Sequence, residues 1–500
     1  MNTLPGAPAR LRARFARHAL LGEAAAMLSW DQATMMPPGG AAARGEQLAA
    51  LEGIAHEILT DPATLADLAA AEAETSGAEP GSFATANLRL MRRAVARAQA
   101  LPAALVEARA RAAVACETRW REARAGNDFP LVAAPLREVL ELEREAGQVL
   151  GEALGLSPYD ALLDGHQGGV TAADFEPLFA AYETFLAAAL PRAAAAEAGR
   201  PQRQEPAGPF PAAAQRDLCR RLAGAAGLRA GHFRLDASAH PFCGGITSDL
   251  RITCRTDAGD PMVAVMGVLH ETGHALYEQN LPQEWLRQPV GAASGSALHE
   301  SQSLLVEMQA CRSQPYLGWL AAEIRRFFPE NPLGADDLAA RYRRVRPSLI
   351  RVEADEVTYP AHVILRYRLE RALLEGDLAV ADLPAAWAQG MRSLLGIVPP
   401  DDTLGCLQDI HWYCGEFAHF PCYTLGAMAA AQLMEAARRD LPDLDASLAR
   451  GDLSPLVGWM EAKVHRHGSR LGFNALLREA TGAKLGFAAF AAHLTRRYLG

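Results

Sequence analysis

The chain has 500 residues, half of them hydrophobic and 21% charged, a composition typical of a well-buried globular protein and not of a disordered one. Its 49 basic and 58 acidic residues give a formal net charge of −9, and no basic stripe stands out, which excludes nucleic-acid binding as the main function. No run approaches the ~18 consecutive apolar residues of a membrane span, so we expect none.

The compartment is indicated by the N-terminus and the cysteines. The first residues contain Pro5, Pro8 and several arginines, and lack the apolar core of a secretory signal, so we expect a cytoplasmic protein. Eight cysteines are scattered without any C-x-x-C pair, a pattern that favours free thiols in a reducing compartment. Cys243 and Cys254 are close enough in sequence to face each other across a hairpin, but we expect thiols there as well.

Most of the chain is predicted to be helical. Residues 7–125 place apolar side chains three and four positions apart, as in Leu48, Leu51, Ile54 and Ile58, which predicts amphipathic helices. Clusters of Pro and Gly at 36–40, 76–81 and 196–214 predict connections. The same helical pattern returns at 130–154, 172–195, 213–226, 262–280, 297–312, 335–346, 353–375, 384–395, 422–440 and 455–467.

One segment differs from this helical pattern. Residues 244–256 alternate β-branched and polar side chains after a pair of glycines, which predicts a short strand or hairpin. An extended peptide can add to the free edge of such a strand through main-chain hydrogen bonds. A structural hairpin that binds no ligand is the equally open alternative.

The segment that follows carries the strongest chemical signal. After the apolar run 262–269 stands His270-Glu271-Thr272-Gly273-His274, an H-E-x-x-H motif. Two histidines four residues apart on a helix point the same way, so both rings can reach one Zn²⁺ while Glu271 meets the water at the metal. The alternative is a buried helix that carries two hydrogen-bonded histidines.

A catalytic zinc site needs a third protein ligand. The downstream candidates are the four carboxylates Glu278, Glu284, Glu300 and Glu307. We select Glu300, because it lies on a new helix after the loop 291–296, and this loop allows the second helix to cross the first. Glu278 continues the motif helix and Glu284 lies in a turn at Pro282, so both approach the metal less readily. A helix-start carboxylate stabilised by the dipole is the structural alternative for Glu300.

Several other histidines stand beside distinctive neighbours: His240-Pro-Phe242, His299-Glu300 and Gln408-Asp-Ile-His411-Trp412. By contrast, His465 and His467 lie in a short basic tract of the kind that is usually solvated on a protein surface.

Together these segments closely resemble the carboxypeptidase Taq family of zinc metallopeptidases, and the likeness covers nearly the whole chain. The matching motifs follow one another as His240-Pro-Phe242, Asp249-Leu-Arg-Ile-Thr253, His270-Glu-Thr-Gly-His274, His299-Glu-Ser-Gln302, Ile350-Arg-Val-Glu-Ala-Asp355 and Gly405-Cys-Leu-Gln-Asp-Ile-His-Trp412.

The resemblance implies a mainly α fold, similar to neurolysin and angiotensin-converting enzyme, with the metal at the floor of a long substrate groove and a small β-hairpin or sheet near it. It implies one peptidase domain over 1–500, in which 1–125 covers the groove and 230–440 forms the catalytic core. It also implies a homodimer that acts on peptides with a free C-terminus.

The resemblance also assigns roles to residues. It makes His270, His274 and Glu300 the Zn²⁺ ligands, with Co²⁺ as a substitute, and Glu271 the base. Arg351 looks like the group that receives the substrate's C-terminal carboxylate, and Tyr423 like the oxyanion donor.

Three further groups are expected at the substrate. We expect His411 to assist Tyr423, and His240 and Arg251 to contact the peptide. The predicted reaction is metal-assisted hydrolysis of the last peptide bond with broad specificity. The alternatives are an endo-oligopeptidase or dipeptidyl carboxypeptidase of the same clan, and a peptide-binding protein with a structural metal.

The chain departs from the family pattern at two places. Ala418-His419 stands where the family usually has Gly-Tyr, and Gly165-His-Gln-Gly168 replaces a Tyr-Glu-Pro-Gly turn. We expect both to affect substrate preference more than metal chemistry.

Overall fold

The computed structural model describes residues 6–75, 77, 79–199, 205–206, 208–238 and 240–499. Parts of the predicted connections at 76–81 and 196–214 therefore lie outside the described residues, as do residues 1–5. The described chain consists of helices with one small sheet, which confirms the mainly α fold. Within it, no helix is both long and apolar enough to span a membrane.

The N-terminal part is helical, as the apolar spacing predicts. Its helices are α1 (Ala7–Thr34), α2 (Ala41–Thr60), α3 (Pro62–Glu74), α4 (Phe83–Ala100) and α5 (Ala103–Gly126). The predicted apolar stripe of α2 is less buried than expected, because Ile54 is exposed and Leu59 is the only side chain of this helix that is buried among those described.

Four helices then lead to the sheet: α6 (Phe129–Leu154), α7 (Pro158–His166), α8 (Ala172–Ala198) and α9 (Ala212–Ala226). The apolar spacing missed α7, a helix of nine residues that is fixed by its N-terminus. There the Ser157 hydroxyl accepts a hydrogen bond from the Asp160 backbone N–H at 3.1 Å, and Pro158 occupies the first turn.

The sheet has three strands, β1 (Phe233–Ala237), β2 (Cys243–Ile246) and β3 (Asp249–Cys254), in the order β1-β3-β2. The predicted hairpin is β2 and β3, which pair antiparallel, whereas the parallel strand β1 was not predicted. Cys243 stands opposite Ile252 and not opposite Cys254, and all eight cysteines are free thiols, as expected.

Eleven helices complete the described chain, from α10 directly after the sheet to α20 near the C-terminus. They are α10 (Met262–Gln279), α11 (Gly295–Leu304), α12 (Gln314–Phe327), α13 (Ala335–Tyr342), α14 (Tyr359–Glu375), α15 (Leu383–Leu395), α16 (Pro421–Asp440), α17 (Leu444–Leu448), α18 (Ser454–Lys463), α19 (Phe473–Thr481) and α20 (Ala488–Leu494). π-helical turns extend α11 over Leu305–Cys311 and α20 over Thr495–Leu499.

Several predicted helix ends were wrong. The helix expected over 353–375 begins only at Tyr359, because the Asp355 carboxylate accepts backbone N–H groups of Val357 and Thr358 at 2.9 and 3.0 Å and holds a turn there. The helices expected to reach 346 and 467 end at Tyr342 and Lys463.

The expectation that His465 and His467 are solvated was also wrong. His465 is fully buried, with Nε2 3.1 Å from Oε1 of Gln302 and Nδ1 3.3 Å from Nδ2 of Asn280. His467 is half-buried and accepts a hydrogen bond from Arg470. The two rings differ because the turn after α18 directs His465 inward toward α10 and α11.

Among the residues that the structure describes, the buried apolar side chains form two separate clusters. The larger one runs from α5 to the C-terminal helices and surrounds α10. The smaller one, here called the N-terminal cluster, joins α1, α3 and α4 through Leu11, Phe15, Leu68, Met91 and Val95. Near the sheet, Trp30 of α1 is buried and donates its indole N–H to Asp236 of β1 at 3.2 Å.

Candidate active site

The H-E-x-x-H segment lies on α10, a helix that is buried along most of its length. His270 and His274 stand one turn apart with ring centroids separated by 4.9 Å, and both remain partly exposed to the groove described below. Glu271 between them is only 5% exposed.

Glu300 reaches the two histidines from α11. Its Oε2 lies 3.4 Å from Nε2 of His274 and 3.7 Å from Nε2 of His270. The hydroxyl of Ser303 donates to the same carboxylate oxygen at 3.1 Å and orients it. The loop before α11 therefore does what the sequence suggested, because it returns a second helix across the first.

Two glycines allow this close approach. A Cβ at Gly273 of α10 would lie 2.5 Å from the backbone oxygen of Gln302, and a Cβ at Gly426 of α16 would lie 2.8 Å from Cβ of Glu300. Neither position accepts a larger side chain without movement of a helix. Glu300 is thus held between two neighbouring helices that both touch its own.

The carboxylates at the site differ in their pKa values. Burial alone would raise the pKa of Glu300, but the neighbouring His270 and His274 outweigh it and lower that pKa to about 2. Burial dominates at Glu271 and raises its pKa to about 7. One carboxylate is therefore suited to remain charged as a ligand and the other to exchange a proton near neutral pH.

The donor set fits a catalytic metal. One ligand atom from each of His270, His274 and Glu300 lies within 4.8 Å of the other two. Two imidazole nitrogens and one carboxylate oxygen are a common set for a catalytic zinc site, which keeps a fourth position open. The adjacent cysteine, Cys243, belongs to β2 and is not one of these donors.

Glu307, a carboxylate that we did not select as a ligand, supports His270 from the side away from Glu300. Oε2 of Glu307 is 3.0 Å from Nδ1 of His270, and Arg312 pairs with the other oxygen of Glu307. Such carboxylates fix the tautomer and orientation of a metal-binding ring. The sequence pattern did not separate this supporting role from that of a ligand.

The second histidine is supported through another ring. Nδ1 of His274 lies 2.5 Å from Nδ1 of His299, and Nε2 of His299 lies 3.1 Å from Oε1 of Glu278. Glu278 therefore acts on His274 through His299. Glu284 is exposed in a short 3₁₀ turn and takes no part in the cluster of potential ligands.

The three candidate metal ligands, His270, His274 and Glu300, line a groove of about 740 Å³. One wall is formed by residues at the edge strand β2, including His240, Phe242 and Cys243. The lining of the groove also includes other predicted substrate and oxyanion groups, Arg351, His411 and Tyr423. Four of the five substrate and oxyanion residues expected from the sequence thus share one cavity with the metal ligands.

Arg251 is the exception among these residues. It lies on β3, where its guanidinium binds the Asp249 carboxylate at 2.8 Å and 3.1 Å, and it is not part of the groove lining. The pattern Asp-x-Arg places both side chains on the same face of a strand, so they meet each other.

Arg351 is fixed by partners from outside its own segment. Its Nε and Nη2 donate to one oxygen of Asp409 at 3.1 and 2.8 Å, and Nη1 donates to the Tyr359 hydroxyl at 2.8 Å. The other oxygen of Asp409 binds Arg366. Asp409 was visible in the motif 405–412, but only the fold shows that it braces Arg351.

Tyr423 and His411 lie beside this arginine. Nε2 of His411 is 3.1 Å from the Tyr423 hydroxyl, and the Arg351 guanidinium lies 5.0 Å above the Tyr423 ring. Burial raises the pKa of Tyr423, which therefore stays protonated at neutral pH, and burial lowers the pKa of His411 to about 3. Both are uncharged groups able to donate a hydrogen bond into the groove.

Comparison with known proteins agrees with this geometry. Residues 10–498 match the family model of the carboxypeptidase Taq (M32) metallopeptidases. The chain is 38% identical, over 96% of each sequence, to thermostable carboxypeptidase 1 of Thermus thermophilus.

Solved structures are similar over nearly their full length. Metallocarboxypeptidase 1 of Trypanosoma cruzi superposes with a TM-score of 0.96 at 37% identity, with 99% of each chain covered. The M32 carboxypeptidase of Deinococcus radiodurans gives a TM-score of 0.91 at 33% identity, with 98% of each chain covered.

Proposed function

The chain belongs to the carboxypeptidase Taq (M32) family, and we propose that it uses Zn²⁺ to release single C-terminal residues with broad specificity. Members of this family are metallocarboxypeptidases, which hydrolyse peptide bonds, and the chain is one of them. The observation that carries the proposal is the convergence of His270, His274 and Glu300 beside Glu271 in an open groove. A structural zinc site would be closed by four protein ligands, usually with cysteine, and would have no use for Glu271.

When bound, the metal supplies Lewis acidity, which acidifies water and polarises a carbonyl group. Glu271 then takes the proton of the attacking water and passes it to the leaving amine. Its pKa of about 7, raised by burial, suits a group that both accepts and returns a proton near neutral pH. Glu307 and Glu278 hold the ligand rings in place from behind.

Tyr423 is proposed to donate a hydrogen bond from its hydroxyl group to the developing oxyanion. The Nε2 atom of His411 contacts the Tyr423 oxygen. When Nε2 carries the imidazole proton, it donates to that oxygen and leaves the Tyr423 hydrogen free for the substrate. Loss of one oxyanion donor typically costs on the order of 10²–10³ in kcat.

Arg351 is proposed to receive the terminal carboxylate, and His240, which lines the same groove, to contact the peptide. Asp409 occupies Nε and one N–H of Nη2, and Tyr359 occupies Nη1. Each terminal nitrogen carries two hydrogens, so one hydrogen on each remains for a bidentate contact with a carboxylate. Burial alone would lower the pKa of Arg351, but Tyr359 and Asp409 outweigh it and raise that pKa above its ordinary value, so the guanidinium stays charged.

The same proposal covers the arrangement of the enzyme. We propose that 1–125 covers the groove and 230–440 forms the catalytic core, since Arg124 lines the groove and α1 packs against β2. We also propose a homodimer, a cytoplasmic location, which the eight free thiols support, and activity with Co²⁺ in place of Zn²⁺.

The experiment compares a free-ended peptide with its C-terminally amidated twin. Zinc-loaded protein is incubated with each, and the products are followed by mass spectrometry. Stepwise loss of single residues from the free-ended peptide alone is the expected result. Removal of residue pairs, or internal cleavage of both peptides, would instead favour a dipeptidyl carboxypeptidase or an endo-oligopeptidase.

A further inference from the structure

A second group of potential metal ligands lies at the turn between the motif 405–412 and α16. One ligand atom from each of His411, Glu416 and His419 lies within 4.8 Å of the other two, the same spacing that brings His270, His274 and Glu300 together. We propose that these three residues, here called the turn site, bind a second divalent metal ion of the zinc class. This proposal goes beyond the carboxypeptidase function.

The backbone builds the turn site within nine residues. A 3₁₀ turn over His411–Cys414 ends at Gly415, which has a φ of +81°, and the Glu416 N–H then donates to the backbone oxygen of His411 at 2.8 Å. Ala418 follows with a φ of +62° and turns the chain so that His419 faces His411. A buried alanine in the left-handed region is uncommon, and such backbone often accompanies a binding site.

The free nitrogens of the two rings point to a ligand. Nδ1 of His411 and Nδ1 of His419 are both buried and have no hydrogen-bond partner in the described residues. Nε2 of His411 is already occupied by the Tyr423 hydroxyl, so Nδ1 is the nitrogen that remains for a metal. Buried polar atoms nearly always have partners, and one metal ion would satisfy both nitrogens.

The third residue of the turn site supplies a negative charge. Glu416 is exposed at the rim and supplies a flexible negative charge. In a tetrahedral zinc site the ligand atoms stand roughly 3.3 Å apart. The ligand atoms of the turn site lie within 4.8 Å of one another, and rotation of the exposed Glu416 side chain can shorten its distances to the two rings.

A third histidine packs against the turn site. His166, in the segment 165–168, stacks on His419 with ring centroids 4.8 Å apart and an interplanar angle of 27°. Nε2 of His166 lies 3.0 Å from the backbone oxygen of Phe417, so it carries the proton and fixes that ring. His166 therefore packs against the back of His419 and positions it as a ligand.

The chemical class of the metal follows from the donors. Two imidazoles and one carboxylate favour Zn²⁺, Co²⁺, Ni²⁺ or Cu²⁺ over Mg²⁺ and Ca²⁺, which prefer oxygen ligands. Coordination through Nδ1 places the proton of His411 on Nε2, where it donates to Tyr423. Occupation of the turn site thus fixes the hydrogen-bond direction between two groups of the groove.

The test counts metal ions on the intact protein. Wild type is dialysed against buffer with excess free Zn²⁺, separated from unbound metal and analysed by elemental mass spectrometry. The variants are Glu416→Gln, which keeps the shape of an exposed side chain, and His419→Tyr, which keeps an aromatic ring but removes the imidazole nitrogens. His232→Tyr replaces an exposed histidine remote from the site and is the control. Circular dichroism verifies that each variant is folded.

We expect two zinc ions per chain in wild type and in His232→Tyr, and one in His419→Tyr. Glu416→Gln should lower the affinity for the second ion by at least roughly 10–100-fold, which is the loss of affinity that removal of an outer partner causes at a metal site. With Co²⁺, the second equivalent should add a visible absorption band that His419→Tyr lacks. A single ion in wild type, or two tightly held ions in both turn-site variants, would overturn the proposal.

Discussion

Oε2 of Glu307 lies 3.0 Å from Nδ1 of His270, although the two residues belong to different helical segments. The contact leaves Nε2 of His270 free to face Glu300 and explains why a carboxylate that does not reach the metal site is buried beside it. Arg312 neutralises Glu307 from the other side. The candidate metal site therefore depends on the charged residues Glu307 and Arg312 behind His270 as well as on its ligands.

Glu271→Gln should abolish turnover while the metal stays bound. The amide keeps the shape of the side chain but cannot accept the proton of water. Metal content and peptide hydrolysis are measured on the same preparation. A variant with full metal and near-normal activity would remove Glu271 from the mechanism.

Glu300→Ala should lower metal affinity more than any other single carboxylate change, because two histidines alone make a weak site. Glu278→Ala should weaken binding by a smaller factor, roughly 10-fold or more, since it acts on His274 through His299. Glu284→Ala, in an exposed turn, is the control and should bind metal normally. Competition with a chelator ranks the three, and retention of metal by Glu300→Ala would mean that the third ligand lies elsewhere.

Arg351→Ala should reduce kcat/KM on free-ended peptides by the equivalent of about 1.5–3 kcal/mol, because a charge-assisted contact with the terminal carboxylate is lost. Amidated peptides, which lack that carboxylate, should lose much less. Arg351→Lys should recover only part of the activity, since an ammonium lacks the planar fork. If Arg351 only braces Asp409, both peptide forms will lose equally and thermal stability will fall.

Gly273→Ala should destabilise the fold by roughly 1–3 kcal/mol, because the new Cβ would lie 2.5 Å from the backbone oxygen of Gln302, which cannot move aside like a flexible side chain. The shift of α11 should also weaken metal binding through Glu300. Gly318→Ala is the matched control on a helix, with open space around its Cβ, and should stabilise by about 0.5–1 kcal/mol. Chemical denaturation measures both, and equal effects would refute the steric argument.

Glu370→Gln should make stability less dependent on pH. Glu370 is fully buried and accepts hydrogen bonds from Tyr159 and Trp412, and burial raises its pKa to about 7. The folded protein therefore holds a proton that the unfolded chain releases near pH 4.5, so wild-type stability falls as pH rises from about 4.5 to 7, by up to about 3 kcal/mol.

The amide that replaces the Glu370 carboxylate in this variant does not ionise, so it does not lower the stability as the pH rises. The Tyr159 hydroxyl can turn to accept a hydrogen bond from the amide N–H. Unfolding curves at pH 5 and pH 8 should therefore show a larger gain for the variant at pH 8. Glu353→Gln on the surface controls for the loss of one charge. A gain that is the same at both pH values would contradict the raised pKa.

The sequence predicted the elements that follow from regular spacing. The motif helix, the hairpin and the position of Glu300 on a new helix beside the motif helix were predicted because a period of four, an alternation of two and a loop before a new helix each leave a local signal. Strand β1 was missed because its five residues have no turn residues that mark both ends. Helix α7 was missed because its boundaries depend on the Ser157 cap and Pro158 rather than on an apolar stripe.

Long-range pairs were beyond reach for a different reason. His465 reads as one of several basic residues, and only the packing of the turn after α18 against α10 shows that it is buried. Asp409 and Arg351 are 58 residues apart, and a single sequence does not reveal which of several carboxylates meets a given guanidinium. The contact of Glu307 with His270 could not be predicted for the same reason.

The N-terminal cluster contains few large side chains and is separate from the core that surrounds α10. Segments with their own small core open at a lower free energy than the whole protein unfolds. Amide hydrogens of α1, α3 and α4 should therefore exchange with solvent well before those of α10. Because α1 packs against the edge strand that lines the groove, we expect such opening to expose that side of the groove while α10 and α11 keep the candidate metal ligands in place.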